Sequence, residues 1–326
     1  MSRARMRRAA AGFAVALMTA TAVPEAARAQ APTVATGRAV DITQTTAVLR
    51  GTINPRGAAT TYYFELGTTR QYGSATPVAG PIRGRSPITV ALPVGAMSPA
   101  TRYHYRLVAR SRNGIRSGRD RTFRTAPQPL GLSVAAVPAS VFQGGTSRLV
   151  GSLSGTGNVG RPVVLQSNPF PYTQGFVTIT NPQLTNAQGA FEFPVLDVAV
   201  TTQYRAVVAD APAIVSPVAS VGVALRVGTR VRVVRRPQRR GGRARVRFTG
   251  RISPAPSGAP INIQRLRRGT WRIIATGFAR PASAGASRYS KTIRIRRGGR
   301  FRVFASSDGA FVSNAGREVR VRVRRR

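Results

Sequence analysis

From about residue 31 onward, apolar and polar side chains alternate in short runs that stop at Gly, Pro, Asn or Ser. Thr46–Ile53, Thr60–Leu66 and Arg102–Arg110 each put every second residue on one face, the pattern of a half-buried strand. The first ends at the turn Asn54-Pro55-Arg56-Gly57 and the second at Gly67. The third follows Ser98-Pro99 and sets Tyr103, Tyr105 and Leu107 on a common side. Asp120–Thr125 supplies a further strand before Pro127. No apolar stripe persists at helical spacing with capping residues. Many short strands with regular turn signals predict an all-β chain of sandwiches or barrels.

The stretch 127–326 contains an internal repeat. Gly144-Gly145 corresponds to Gly241-Gly242, Gly151 to Gly250, and Gly160-Arg161-Pro162-Val163 to Gly258-Ala259-Pro260-Ile261. Leu165-Gln166 corresponds to Ile263-Gln264, Tyr204-Arg205 to Phe301-Arg302, and Val215-Ser216 to Val312-Ser313. The spacing stays between 97 and 99 residues throughout. A constant offset carried by glycines at turns and apolar residues on strands means two copies of one domain. They meet near Arg226–Val227 with almost no linker.

The stretches Thr46–Pro55, Tyr62–Thr69 and Met97–Tyr105 resemble those of fibronectin type III domains of bacterial exported proteins. In that resemblance Tyr103 takes the tyrosine-corner position, and its hydroxyl is expected to bond backbone a few residues upstream. The Arg-Gly-Asp tripeptide of some members is absent. The two repeat copies resemble bacterial immunoglobulin-like domains, on less specific motifs. The fold implied serves mainly as a spacer or binding module.

Arg3, Arg5, Arg7 and Arg8, an uncharged segment from Ala9 to Val23 and the small-residue site Ala27-Arg28-Ala29 read as a secretory signal peptide. The expected organisation is therefore three tandem fibronectin type III-like or immunoglobulin-like β-sandwich domains after a signal peptide. The signal occupies 1–29, the fibronectin type III-like domain 31–126, and the immunoglobulin-like sandwiches 127–226 and 227–326. A secreted or cell-surface location follows, with no membrane span. There is no cysteine, so each domain must be held by its own core.

Catalytic chemistry has little to build from. His104 is the only histidine, which removes His/Cys metal clusters and leaves a Ser–His–acid triad a single possible base. Its position between Tyr103 and Tyr105 points it to the opposite, solvent-facing side. The acids are few and scattered, and Ser307-Asp308-Gly309 lacks the alternating oxygen ligands of a calcium loop. A non-catalytic protein is expected, with no cofactor, no metal and no small-molecule substrate.

Charge is the sharpest feature: 51 basic residues against 9 acidic, with a formal net charge of +42. Residues 127–226 hold 4 basic and 3 acidic side chains, whereas 227–326 hold 28 and 2. A coding bias toward Arg acts on both copies alike and cannot produce that contrast. Arg243, Arg245 and Arg247 alternate with Ala244, Val246 and Phe248; Arg294 and Arg296 with Ile293 and Ile295; Arg320, Arg322 and Arg324 with Val319, Val321 and Val323. Strand periodicity turns these eight arginines outward, and they are the candidate polyanion-binding residues. Trp271, Phe278 and Tyr289 are available for stacking, although Trp271, in register with Ile273, is expected in the core. The expected partner is an anionic cell-envelope polymer or an acidic glycan. The alternatives are a purely structural exported scaffold and a nucleic-acid-binding protein, the latter without a reading helix or an aromatic RNA-binding signature.

Overall fold

The computed structural model describes residues 30–238, 242–254, 258–283 and 285–323. The expected signal peptide and Arg324 lie outside these residues. Among the described residues all regular structure is β-strand, and no helix there is long and apolar enough to cross a membrane. The chain divides into two compact units, residues 1–126 and 127–326.

In the first unit, Ala47–Asn54 lies between Thr33–Thr36 and Ile88–Val94 in one antiparallel sheet. The facing sheet is built on Thr60–Gly67 and Arg102–Ser111, with Ser74–Ala75, Ala79–Ile82, Gly114–Ser117 and Arg121–Arg124 along their flanks. The alternation that defines these strands buries Leu49 and Ile53 from one sheet against Phe64, Tyr105 and Leu107 from the other. The backbone N–H of Ser98 donates to the Tyr103 hydroxyl at 2.9 Å, five residues upstream. That is the corner contact implied by the resemblance. A second hydroxyl, that of Tyr105, donates to the Gly37 carbonyl at 2.7 Å.

The second unit holds two hydrophobic cores, one around Leu149, Leu165 and Val208 and the other around Val246, Phe248, Ile263 and Phe301. Phe311 packs against both. Equivalent strands carry each core. Gly145–Ser154, Pro162–Pro169, Ala190–Val198 and Thr202–Val208 recur as Ala244–Ser253, Pro260–Arg267, Ala286–Ile295 and Gly299–Ala305. Side-chain contacts recur with them. Gln166 accepts from Arg205 Nε at 2.8 Å and Gln264 from Arg302 Nε at 2.7 Å. The Arg205 guanidinium lies over Phe176, and that of Arg302 over Trp271.

The two cores meet without a free connector. Ala219–Ala224 is followed by Leu225, which is fully buried, and then by the strand Arg226–Val227. Val312 N–H donates to Val223 O at 2.7 Å and Leu225 N–H to Val312 O at 3.1 Å. A Cβ on Gly222 would fall 2.4 Å from a Val312 methyl, so close packing requires glycine there.

Candidate anion-binding face

The basic sandwich has one sheet in which Ala244–Ser253 pairs with Arg226–Val227 and Arg230–Arg235 on one side and with Ala286–Ile295 on the other; Arg280–Ser283 follows at the edge. Along Ala244–Ser253 the even-numbered Ala244, Val246, Phe248 and Ile252 are buried in the core. Their neighbours Arg245, Arg247 and Arg251 are exposed. Directly opposed residues on paired strands share a face, so the pairing register assembles the outer surface. One row across the strands holds Arg235, Arg245 and Arg294. The next holds Arg232, Arg247 and Thr292, the third Arg230, Thr249 and Ser290, and the fourth Arg251, Arg288 and Arg280.

Of the eight arginines singled out from the sequence, Arg245, Arg247 and Arg294 fall on this face. Arg243 and Arg296 are exposed at the strand ends beside it. Arg320 and Arg322 do not join them. Val319–Val321 pairs with Gly299–Ala305 in the opposite sheet, where Arg320 stands across from Arg300. Both side chains are exposed, Arg320 on that opposite sheet and Arg322 just past its strand. Sequence reasoning missed Arg230, Arg232, Arg235, Arg251, Arg280 and Arg288. The alternation Arg230-Val231-Arg232-Val233 was a readable signal for the first two. Arg280 and Arg288 are isolated in sequence, and only strand pairing brings them together.

The face is strongly cationic. Among the described residues, no carboxylate lies within ion-pair distance of Arg230, Arg232, Arg235, Arg245, Arg247, Arg280, Arg288 or Arg294. Glu318 binds Arg300 on the opposite sheet, and this contact holds its carboxyl below the usual carboxylate range. Asp308 accepts from the Ser307 hydroxyl and the Ala310 N–H of its own turn. On the opposite sheet the pKa of Arg265 is lowered, first by burial and then by the charges of Arg267 and Arg297. An open concavity of about 1220 Å³ adjoins the fourth row, lined by Arg230, Arg251, Arg280, Arg288 and Lys291 together with Thr249 and Ser290.

The aromatic residues divide differently from expectation. Tyr289 is 3% exposed and belongs to the core. Burial pushes its hydroxyl up to about 12. Phe278 stands 71% exposed at the rim of the concavity. Trp271 is not in the core: its strand shifts register between Ile273 and Ala275, and this bulge turns Trp271 and Ile273 to the outer face of the opposite sheet. There the Arg302 guanidinium covers the indole at 4.5 Å.

In the first unit His104 is not the freely solvated side chain expected. It points away from the Tyr105 side as the alternation requires, but its ring is only 19% exposed and its Nδ1 lies 2.9 Å from Asp120 Oδ2. Asp120 also accepts from the Tyr72 hydroxyl at 3.1 Å, and Arg70 is 3.6 Å away. Arg106 binds Glu65 at 2.6 Å with its guanidinium over the Tyr72 ring at 4.9 Å. These contacts clamp the 67–74 loop, in which the Tyr72 carbonyl passes so close to Gly67 that no Cβ fits. Among the described residues, no three His, Asp or Glu side chains are grouped to hold a metal.

No protein-family model and no curated protein matches the chain. Solved structures do. The sensor domain of the anti-sigma factor RsgI4 of Pseudobacteroides cellulosolvens is 21% identical, covering 30% of this chain and 96% of that one, with a TM-score of 0.25. The FN1–FN3 domains of chicken CNTN1 are 14% identical over 89% of this chain and 99% of theirs, TM-score 0.27. A tetra-tandem repeat from the extending region of a large adhesion protein is 17% identical over 90% of this chain and 74% of its own, TM-score 0.33. Likenesses at these scores carry no weight for what the chain binds.

Proposed function

We propose that the chain is a non-catalytic binding and spacer protein of the cell exterior, whose Arg-rich sandwich docks onto anionic polymers of the envelope. The observation behind this reading is the row-by-row assembly of arginines on one sheet face, of which Arg230, Arg232, Arg235, Arg245, Arg247, Arg280, Arg288 and Arg294 have no carboxylate within ion-pair distance among the described residues. The sister sandwich is a built-in control. On its equivalent face Arg148 pairs with Glu192 at 3.2 Å, and the neighbouring outward residues are Val150, Ser152, Pro194 and Leu196. One fold has therefore been kept neutral in one copy and made cationic in the other. Guanidinium groups suit this task because they stay charged and bind phosphate or carboxylate in a bidentate fork. The hydrogen-bonded junction between the two cores, with no free linker, supports the spacer half of the reading.

The test is retention of the full chain on anionic envelope material across a salt series. Affinity is expected to fall steeply with salt, and each arginine removed from the face is expected to lower the slope of log affinity against log salt by about one. Reversing Arg245, Arg247 and Arg294 to Glu should abolish retention, while reversing Arg320 and Arg322 should leave most of it. Equal retention by both reversed forms would overturn the assignment to this face.

A further inference from the structure

The spacing of the rows narrows the ligand class, on the premise that the face binds polyanions as proposed above. Rows lie two residues apart along Ala244–Ser253, which in an antiparallel strand is about 7 Å. Each of the four rows, at positions 245, 247, 249 and 251, contains at least one arginine, since Arg230 supplies the charge beside Thr249. A linear polymer lying along the strand therefore meets a cation about every 7 Å. Peptide backbone advances at most about 3.5 Å per residue, or three bonds, so a polymer with six backbone bonds between anions also advances about 7 Å when extended.

We infer that this face is matched to an extended poly(glycerol phosphate)-type chain, a phosphodiester polymer with six backbone bonds per repeat, bound along the Ala244–Ser253 strand. In such a chain the path P–O–C–C–C–O separates successive phosphates. Four rows hold four phosphates over about 20 Å. Each phosphate is met by a guanidinium fork, and Thr249, Ser290 and Thr292 offer hydroxyl partners for the polyol between them. Inorganic polyphosphate carries anions at a much shorter repeat, and a polyuronate carries its carboxylates on rings joined by a different path. Nucleic acid shares the six-bond backbone. However, the four rows contain no aromatic side chain on which bases could stack.

The experiment measures binding of the full chain, at one ionic strength and equal anion number, to poly(glycerol phosphate), poly(ribitol phosphate) with its eight-bond repeat, inorganic polyphosphate, polygalacturonate and oligo(dT). Poly(glycerol phosphate) is expected to bind tightest, by at least about tenfold, because a mismatched repeat forfeits at least one charge-assisted contact. Fragments shorter than four repeats should weaken stepwise. Arg247→Gln should cost more against poly(glycerol phosphate) than against polyphosphate. Equal affinity across all the polymers would overturn the register match while leaving polyanion docking intact. Tighter binding of oligo(dT) would overturn it in favour of nucleic acid. Failure of every polymer to bind at low salt would sink the docking reading itself.

Discussion

Tyr289 faces Gly250 across the pairing of Ala244–Ser253 with Ala286–Ile295, and its ring occupies the space a side chain on Gly250 would need. A Cβ there would fall 2.5 Å from the Tyr289 hydroxyl oxygen and 1.8 Å from the Gly228 carbonyl. The hydroxyl donates to that same carbonyl at 2.9 Å and lies 2.9 Å from Thr229 Oγ1. The sister sandwich repeats the arrangement with Phe191 over Gly151.

Gly250→Ala is therefore expected to destabilise the basic sandwich by about 2–3 kcal/mol, the cost of overpacking a closed site. Trp271 is the only tryptophan in the chain and lies in that sandwich. Denaturant unfolding followed by its fluorescence should show an earlier midpoint. An unchanged midpoint would mean that the strands separate freely at this point.

Alkaline pH should weaken the same sandwich. Tyr289 is held neutral by burial, with its folded-state value pushed up to about 12 from an ordinary 10.0. The folded form therefore keeps its proton longer than the unfolded form does. The resulting stabilisation, of about 3 kcal/mol at most, is complete below pH 10 and is lost as pH rises toward 12. The Trp271-detected midpoint should drop over that window in the parent chain and stay flatter in Tyr289→Phe. Tyr105 and Tyr204 are also raised by burial, but they sit in other cores and leave this signal unmoved.

Arg245 and Arg294 stand directly opposite each other. Two unit charges about 5 Å apart repel by about 0.8 kcal/mol in water, and salt screens this. Arg294→Gln is expected to stabilise the chain by up to about 1 kcal/mol at low salt and by less at physiological salt, while weakening polyanion binding. A stability gain that does not shrink with salt would assign the effect to something other than charge.

Arg302→Ala should expose the indole of Trp271. The emission is expected to shift to the red, and acrylamide quenching to increase. The loss of the cation–π contact and the Gln264 hydrogen bond should cost about 1–2 kcal/mol. Unchanged quenching would show that the ring is shielded by other groups.

In the first unit, Asp120→Ala removes the common acceptor of His104 and Tyr72 and the neighbour of Arg70. Trypsin cleavage at Arg70, whose side chain is 80% exposed, should accelerate as the 67–74 loop opens. The same rate in the parent and the variant would leave Arg106 and Glu65 as sufficient anchors.

The sequence alone determined what depends on nearest neighbours along the chain. Successive side chains on a strand point to opposite faces, so the burial of Ala244, Val246 and Phe248 and the outward turn of Arg245, Arg247 and Arg294 were legible from alternation. The 97–99-residue offset likewise identified two copies of one strand set. Only the tertiary structure decided which strands become neighbours. Strand pairing set Arg280 beside Arg288 and sent Arg320 to the opposite sheet, and the folded chain joined His104 to Asp120. A single bulge residue between Ile273 and Ala275 moved Trp271 from the expected core to the surface. Alternation fixes whether a side chain faces in or out, but a shared surface depends on pairing between strands far apart in the chain, where local periodicity holds no information.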